Sequence, residues 1–195
     1  MLKSLTAAAL LALPIAAFAA TDSYTVDPLH SSVNFTVDHL GLTNIYGRFT
    51  KFSAKYSMDK AAKTGAMEAS VDTASVDTNE NDKGSRARSR DDHLRSGDFF
   101  NVAEFPKITY KSTKVGFNGD TPSSIEGNLT LNGVTQPVTL TVDKFKCNAP
   151  QGTRKERCGG NASGKIKRTD FGMKYGVPGV GDEVLLMVVF EADKD

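Results

Sequence analysis

Ser124-Ile-Glu-Gly-Asn-Leu-Thr-Leu-Asn-Gly-Val-Thr-Gln-Pro-Val-Thr-Leu-Thr-Val142 is the stretch on which the fold turns. Ile125, Gly127, Leu129 and Leu131 occupy every second position, and Val138, Leu140 and Val142 do the same. A period of two places one such set of side chains on a single face of a strand. Asn132-Gly133 stands between the two runs, and both residue types tolerate the positive φ that a tight hairpin turn requires. The stretch predicts two antiparallel strands joined by a short turn.

The same period recurs outward from this hairpin. Val33, Phe35 and Val37 alternate with polar residues, as do Phe52, Ala54, Tyr56 and Met58. Ile108 and Tyr110 mark a further strand, and Val184–Phe190 is an apolar run of strand length. Segments near 66–73 and 160–169 bring the expectation to about eight strands. Lys63-Thr64-Gly65 and Asn118-Gly119-Asp120 are further turn candidates. Connections this short join antiparallel neighbours, because a parallel crossover needs a dozen residues or more. The expected fold class is mainly β: an eight-stranded antiparallel barrel, with a sandwich as the alternative. Closure removes exposed strand edges, and a barrel of this size has room for one small ligand.

One segment breaks the pattern. From Asn79 to Phe100 the chain is rich in charge and lacks the two-residue alternation. It predicts a helix or two short helices near 79–100, limited by Gly84 and Gly97. Leu94, Phe99 and Phe100 are the residues of this segment suited to face the barrel mouth. A lid and a plain crossover packed on the barrel both fit this reading.

The amino terminus reads as a targeting segment. Lys3 precedes an apolar run from Leu5 to Phe18 that ends in Ala17-Phe18-Ala19. A basic start, a hydrophobic middle and a small-x-small end describe a secretory signal, here residues 1–20, cut after Ala19 or Ala20. The alternative is a retained anchor, for which the run is short. Residues 21–195 are then read as one domain, exported to the periplasm or secreted. Without Lys3 the remaining basic residues balance the 23 acidic ones, so the formal charge is zero. That balance argues against nucleic acid as a partner, since phosphate neutralisation needs a basic surface. Cys147 and Cys158 are the two cysteines. In an oxidising compartment such a pair is expected to form a disulfide, a staple worth roughly 3 kcal/mol; a redox pair would be spaced more closely.

Catalytic equipment is sparse. The histidines are His30, His39 and His93, and no HExxH, zinc-finger or calcium-loop spacing is present, so no metal site is expected. Nucleophile elbow, phosphate loop and dinucleotide fingerprint are also missing. Asp91-Asp92-His93 invites a reading as a base with its orienting acid, but adjacent helical residues do not face one another. Eleven Phe and five Tyr form a large apolar endowment. Periodicity does not tell whether they fill the barrel or line a cavity.

Several blocks, in order along the chain, resemble the YceI family of exported bacterial proteins. They are His30-Ser31-Ser32-Val33-Asn34-Phe35, His39-Leu40-Gly41, Gly47-Arg48-Phe49, Ser75-Val76-Asp77-Thr78 and Arg90-Asp91-Asp92-His93-Leu94-Arg95-Ser96. Asp98-Phe99-Phe100, Phe105-Pro106-Lys107-Ile108-Thr109-Tyr110, the stretch Gly127–Val138 and Arg168-Thr169-Asp170-Phe171-Gly172-Met173 complete the set. The stretch Glu80–Ser89 is longer than the resemblance leads one to expect, and the cysteine-bounded loop is an elaboration. The resemblance implies a lipocalin-like barrel that binds a long isoprenoid lipid, polyprenyl or quinone in type, and a carrier rather than an enzyme. Each buried CH₂ is worth about 0.8 kcal/mol, so such a tail needs a deep apolar tube more than polar contacts.

Alternation and the matching blocks nominate wall residues: Phe35, Val37, Leu40, Phe49, Phe52, Phe99, Phe100, Ile108, Tyr110, Leu129, Leu131, Val138, Leu140, Phe171 and Met173. A register error of one residue would invert any of these faces. His39, Arg90, Asp91 and His93 are candidates for head-group contacts, or for tying the helical segment to the barrel. Transient membrane contact accompanies a carrier role. Two other readings remain open: a surface-interaction protein, as a homodimer through Val184–Phe190, and a hydrolase using His93 with Asp91 or Asp92.

Overall fold

In the computed structural model the alternating runs become eleven strands that pair antiparallel throughout the described residues, 21–195. The expected signal segment, residues 1–20, lies outside the described residues. The strands are β1 (Asp22–Val26), β2 (Ser32–His39), β3 (Thr43–Phe49), β4 (Phe52–Asp59), β5 (Thr64–Asp72) and β6 (Val76–Asp77). Then come β7 (Lys107–Asn118), β8 (Thr121–Leu131), β9 (Val134–Asn148), β10 (Arg157–Lys167) and β11 (Val180–Lys194). Hydrogen bonding runs β1–β4–β5–β7–β8–β9–β10–β11 and returns to β1, a closed ring of eight.

The three remaining strands explain why eleven segments make an eight-stranded barrel. β1 and β2 pair with successive parts of β11, β3 pairs with β2 as β4 pairs with β1, and β6 pairs with β3 as β5 does with β4. Each of the first three barrel positions is therefore one strand broken in two. The breaks are stitched together: Thr50 N–H donates to the Ser75 carbonyl at 3.1 Å, and Asp72 N–H to that of Lys51 at 2.9 Å. Asp72 also caps the 3-10 turn Thr73–Ser75 that separates β5 from β6.

The eight runs anticipated from alternation are the eight barrel positions, whereas β1, β3 and β6 were not anticipated. β3 hides because Gly47 interrupts its apolar set, Ile45, Gly47 and Phe49. That glycine is required: Phe35, its cross-strand partner, lies so close that a Cβ at residue 47 would be 2.2 Å from Phe35 Cζ. The β8–β9 turn is as expected, with Asn132 and Gly133 at φ 50° and 73°.

The helical segment expected near 79–100 is present as one short helix, α1, Arg90–Arg95; 79–89 is irregular apart from turns. Ser89 caps α1 by accepting from Asp92 N–H at 3.1 Å. Upstream, Asn79 at φ 58° and Gly84 at φ 55° turn the chain repeatedly, and Asp77 and Asp82 accept backbone N–H groups two residues on. These local bonds compete with helix formation. Arg95 fastens α1 to the barrel by donating to the Ala74 and Val76 carbonyls.

The turns β2–β3 and β8–β9, the β10–β11 connection and α1 share one end of the barrel, the mouth. The disulfide Cys147–Cys158 joins register partners on β9 and β10 near the opposite end.

Candidate functional site

Inward-facing side chains leave a cavity of about 510 Å³ inside the barrel. On β11 its wall extends from Val180 to Phe190, a run of about 33 Å at roughly 3.3 Å per residue. No Asp, Glu or Lys of the described residues lines it. The Tyr110 ring lies over Gly127, two residues along β8 from its register partner Leu129: a Cβ at residue 127 would meet Tyr110 Cζ at 2.5 Å. The Tyr110 hydroxyl lies 2.9 Å from the Ile125 carbonyl and 3.0 Å from that of Val138, and burial pushes its pKa up to about 12.

An aromatic floor closes the tube at the disulfide end. Tyr56 stacks on the fully buried Tyr24 at 4.7 Å and meets Phe190 edge-on at 5.9 Å. The Tyr56 hydroxyl is buried with no hydrogen-bond partner among the described residues, and burial raises its pKa well above the usual phenol range.

The mouth has a different chemistry. Phe99 sits 5.0 Å from His93 and 5.5 Å from Tyr175, with the Arg168 guanidinium 5.8 Å above its ring. Asn132 of the β8–β9 turn holds the Phe99 carbonyl at 2.6 Å. Arg168 is 3% exposed and donates to the carbonyls of Gly181, Met173 and Val180 at 2.8–3.0 Å. Burial lowers its pKa from the ordinary guanidinium value, and Asp182 opposes that effect. Asp182 in turn accepts from Thr169 N–H and hydroxyl. Arg86, Arg88 and Arg90 also line the cavity. Arg86 and Arg90 both pair with Glu80, while Arg88 and His93 share Asp98 at 2.7 and 2.9 Å. Those two bonds, Arg88 foremost, hold the Asp98 carboxyl below the usual carboxylate range.

The wall candidates named from sequence line this cavity, with two exceptions. Leu40 is 60% exposed at φ 61° in the β2–β3 turn, where the tight reversal swings its side chain off the inward face. Phe171 is buried in the 3-10 turn Arg168–Phe171, packed in the core rather than bordering open space. His39, Arg90 and His93 line the mouth, whereas Asp91 does not. Asp91 is fully buried and accepts from Thr78 N–H at 3.0 Å and from its hydroxyl at 2.5 Å, which ties α1 to the end of β6. The pairing of His93 with Asp91 or Asp92 is not formed, since residues one or two apart on a helix do not face each other; Asp98 is the partner instead.

Sequence reasoning missed Arg86, Arg88, Arg168 and Tyr175 at the mouth. No periodicity marks them, because they stand outside the strands. Val33, Met58 and Leu186 were within reach, since each lies two residues or a multiple of two from a nominated or noted wall residue on its own strand.

These features define a closed eight-stranded, lipocalin-like antiparallel barrel around an apolar internal cavity. A YceI-like domain model matches residues 24–192, and the chain belongs to the YceI-like family. It is 40% identical over 164 residues to Protein YceI of Escherichia coli O6:H1, covering 83% of this chain and 81% of that one. The crystal structure of Burkholderia cenocepacia BcnA is similar at a TM-score of 0.64 and 26% identity, over 85% of this chain and 98% of the other. A polyisoprenoid binding domain from Saccharophagus degradans shares the fold at a TM-score of 0.60 and 16% identity, over 88% and 98% of the two chains.

Proposed function

We propose that this protein is a carrier, not an enzyme, that holds a long isoprenoid lipid of polyprenyl or quinone type inside the barrel. The observation that carries this reading is the tube itself: apolar from the aromatic floor to the mouth, with its charged groups confined to one end. Such a profile matches a molecule with a long hydrocarbon tail and one polar terminus. The family supports it, as does the fold shared with a polyisoprenoid binding domain. The site residues we assign to tail binding are the nominated wall residues without Leu40 and Phe171.

The carrier works outside the cytoplasm, after removal of residues 1–20, and takes up its lipid by transient contact with a membrane. Leu40, Leu42, Tyr46 and Tyr175 stand 51–79% exposed on the turns and strand around the mouth, an apolar rim that suits a lipid surface. Native mass spectrometry of the protein isolated from its own cells tests the carrier reading. A stoichiometric prenyl lipid released on denaturation is the expected result. A protein that emerges empty, and that takes up neither quinones nor polyprenyl lipids, would overturn it.

A further inference from the structure

At the end of the barrel away from the mouth, Cys147 and Cys158 are register partners on β9 and β10, so their side chains leave the sheet on the same face. Glu156 stands two residues before Cys158, in the loop that the disulfide closes. Its Oε1 lies 3.9 Å from Cys158 Sγ. The two sulfurs and a Glu156 carboxylate oxygen all fall within 4.8 Å of one another. The geometry points to a second state of this clasp: with the disulfide reduced, Cys147, Cys158 and Glu156 bind one Zn²⁺. This inference is independent of the carrier reading.

The residue types suit the ion. Zinc takes thiolate sulfur at about 2.3 Å and carboxylate oxygen at about 2.0–2.2 Å, usually as a tetrahedron. Those bonds set two sulfurs roughly 3.8 Å apart. Side-chain rotation reaches that separation, since facing Cβ atoms on paired strands sit about 4.5–5.5 Å apart. Glu156 is also preset. The fully buried Tyr24 donates its hydroxyl to Glu156 Oε1 at 2.5 Å, and Lys194 N–H donates to the Glu156 carbonyl at 2.9 Å. A disulfide sulfur has no proton to give this carboxylate, whereas a metal beside that sulfur would find in it a ligand already in place. The surroundings balance the charge. Two thiolates and a carboxylate exceed the ion by one negative charge, and Lys60 Nζ stands 3.8 Å from Glu156 Oε1. Cys158 is backed by Tyr24, Val26 and Ala192, while Cys147 and Glu156 are only partly buried and leave a path from solvent. A dithiol reductant opens the clasp: it gives two electrons and two protons, its own sulfurs join, and both cysteines become thiols. Zinc then displaces both protons to solvent as the thiolates coordinate it. The states exclude each other, because sulfurs bonded to one another are not two thiolates.

The test compares the disulfide-bonded protein with the same protein reduced anaerobically by a dithiol that is then removed. Zinc alone is the probe, its affinity read by competition with a chromophoric chelator. The reduced protein is expected to bind one Zn²⁺ per chain, and the oxidised protein none at that affinity. Co²⁺ in its place should show thiolate-to-metal charge transfer, and Cys147→Ser/Cys158→Ser should abolish both signals. Glu156→Gln keeps both cysteines and an acceptor for Tyr24, and should weaken zinc binding by about tenfold or more. In the native sequence, bound zinc should slow alkylation of both reduced thiols by about tenfold or more, because a coordinated thiolate is withdrawn as a nucleophile. That readout needs no variant, so the prediction survives if Glu156→Gln folds poorly. Equal zinc binding by the oxidised and reduced proteins, alkylation that zinc leaves unchanged, or a folded Glu156→Gln variant that binds as tightly as its parent overturns the three-ligand site.

Discussion

Arg168 shows how much a single side chain organises. It leaves β10, turns back beneath the mouth and donates to three carbonyls, two of which begin β11. Its carboxylate neighbour Asp182 does not bond it directly but grips the backbone and hydroxyl of Thr169 beside it. Removing the guanidinium would leave three acceptors without a donor in a buried site. Arg168→Ala is expected to destabilise by about 3–5 kcal/mol, the range for breaking a buried charged network. Arg168→Lys should restore only part of that, because an ammonium cannot span three divergent carbonyls as a planar fork does. Urea denaturation of the three proteins checks both statements; a loss under about 1 kcal/mol for the Ala variant would show that the carbonyls find other partners.

Two clasps hold elements together at the disulfide end. Cys147 and Cys158 face each other across β9 and β10 and close a short polar loop. Replacing both by Ser is expected to lower stability by about 3 kcal/mol, and reduction of the native protein by a similar amount; equal denaturation midpoints with and without reductant would contradict this. The second clasp is Arg157, which bonds Asp193 twice at 2.7 Å, Glu191 at 3.1 Å and Asp27 at 3.2 Å, joining β10, β11 and the β1–β2 connection. The Arg157 bond is the main cause that lowers the Asp193 pKa. A depressed carboxylate pKa stabilises the fold above the ordinary carboxylate value of about 3.9, and that contribution disappears as pH falls through the lowered folded value. Asp193→Asn should therefore melt below the parent protein at neutral pH, with the gap closing in acid as pH falls through the lowered folded value. A gap that persists unchanged into acid would assign the effect to packing instead of charge.

At the scale of the molecule, the barrel keeps an open tube because its inward side chains, though apolar, do not fill the space that eight strands enclose. Ala69 on β5 lines that tube, opposite Ala54 and Tyr110 in register. Ala69→Trp is expected to abolish stoichiometric lipid capture while the barrel still folds, at a packing cost of about 1–3 kcal/mol. Retained capture by a folded variant would move the lipid out of the tube. The eight barrel positions, their antiparallel pairing and the Asn132-Gly133 turn were legible in the chain, because a period of two is a local property of each strand. Most wall residues followed, since a strand's inward face follows from its alternation. The broken first three positions were not legible: they depend on Thr50, Asp72 and Ser75 meeting between neighbouring strands. Nor was the mouth, since Arg86, Arg88, Arg168 and Tyr175 come from segments between the strands that only closure brings together. What the sequence alone determined is which residues form strands and which faces are apolar, because both are set by neighbours along the chain. Whether those faces enclose a solid core or an open tube, and which charges gather at its end, was decided by tertiary structure, because void space and convergence exist only once distant segments are packed.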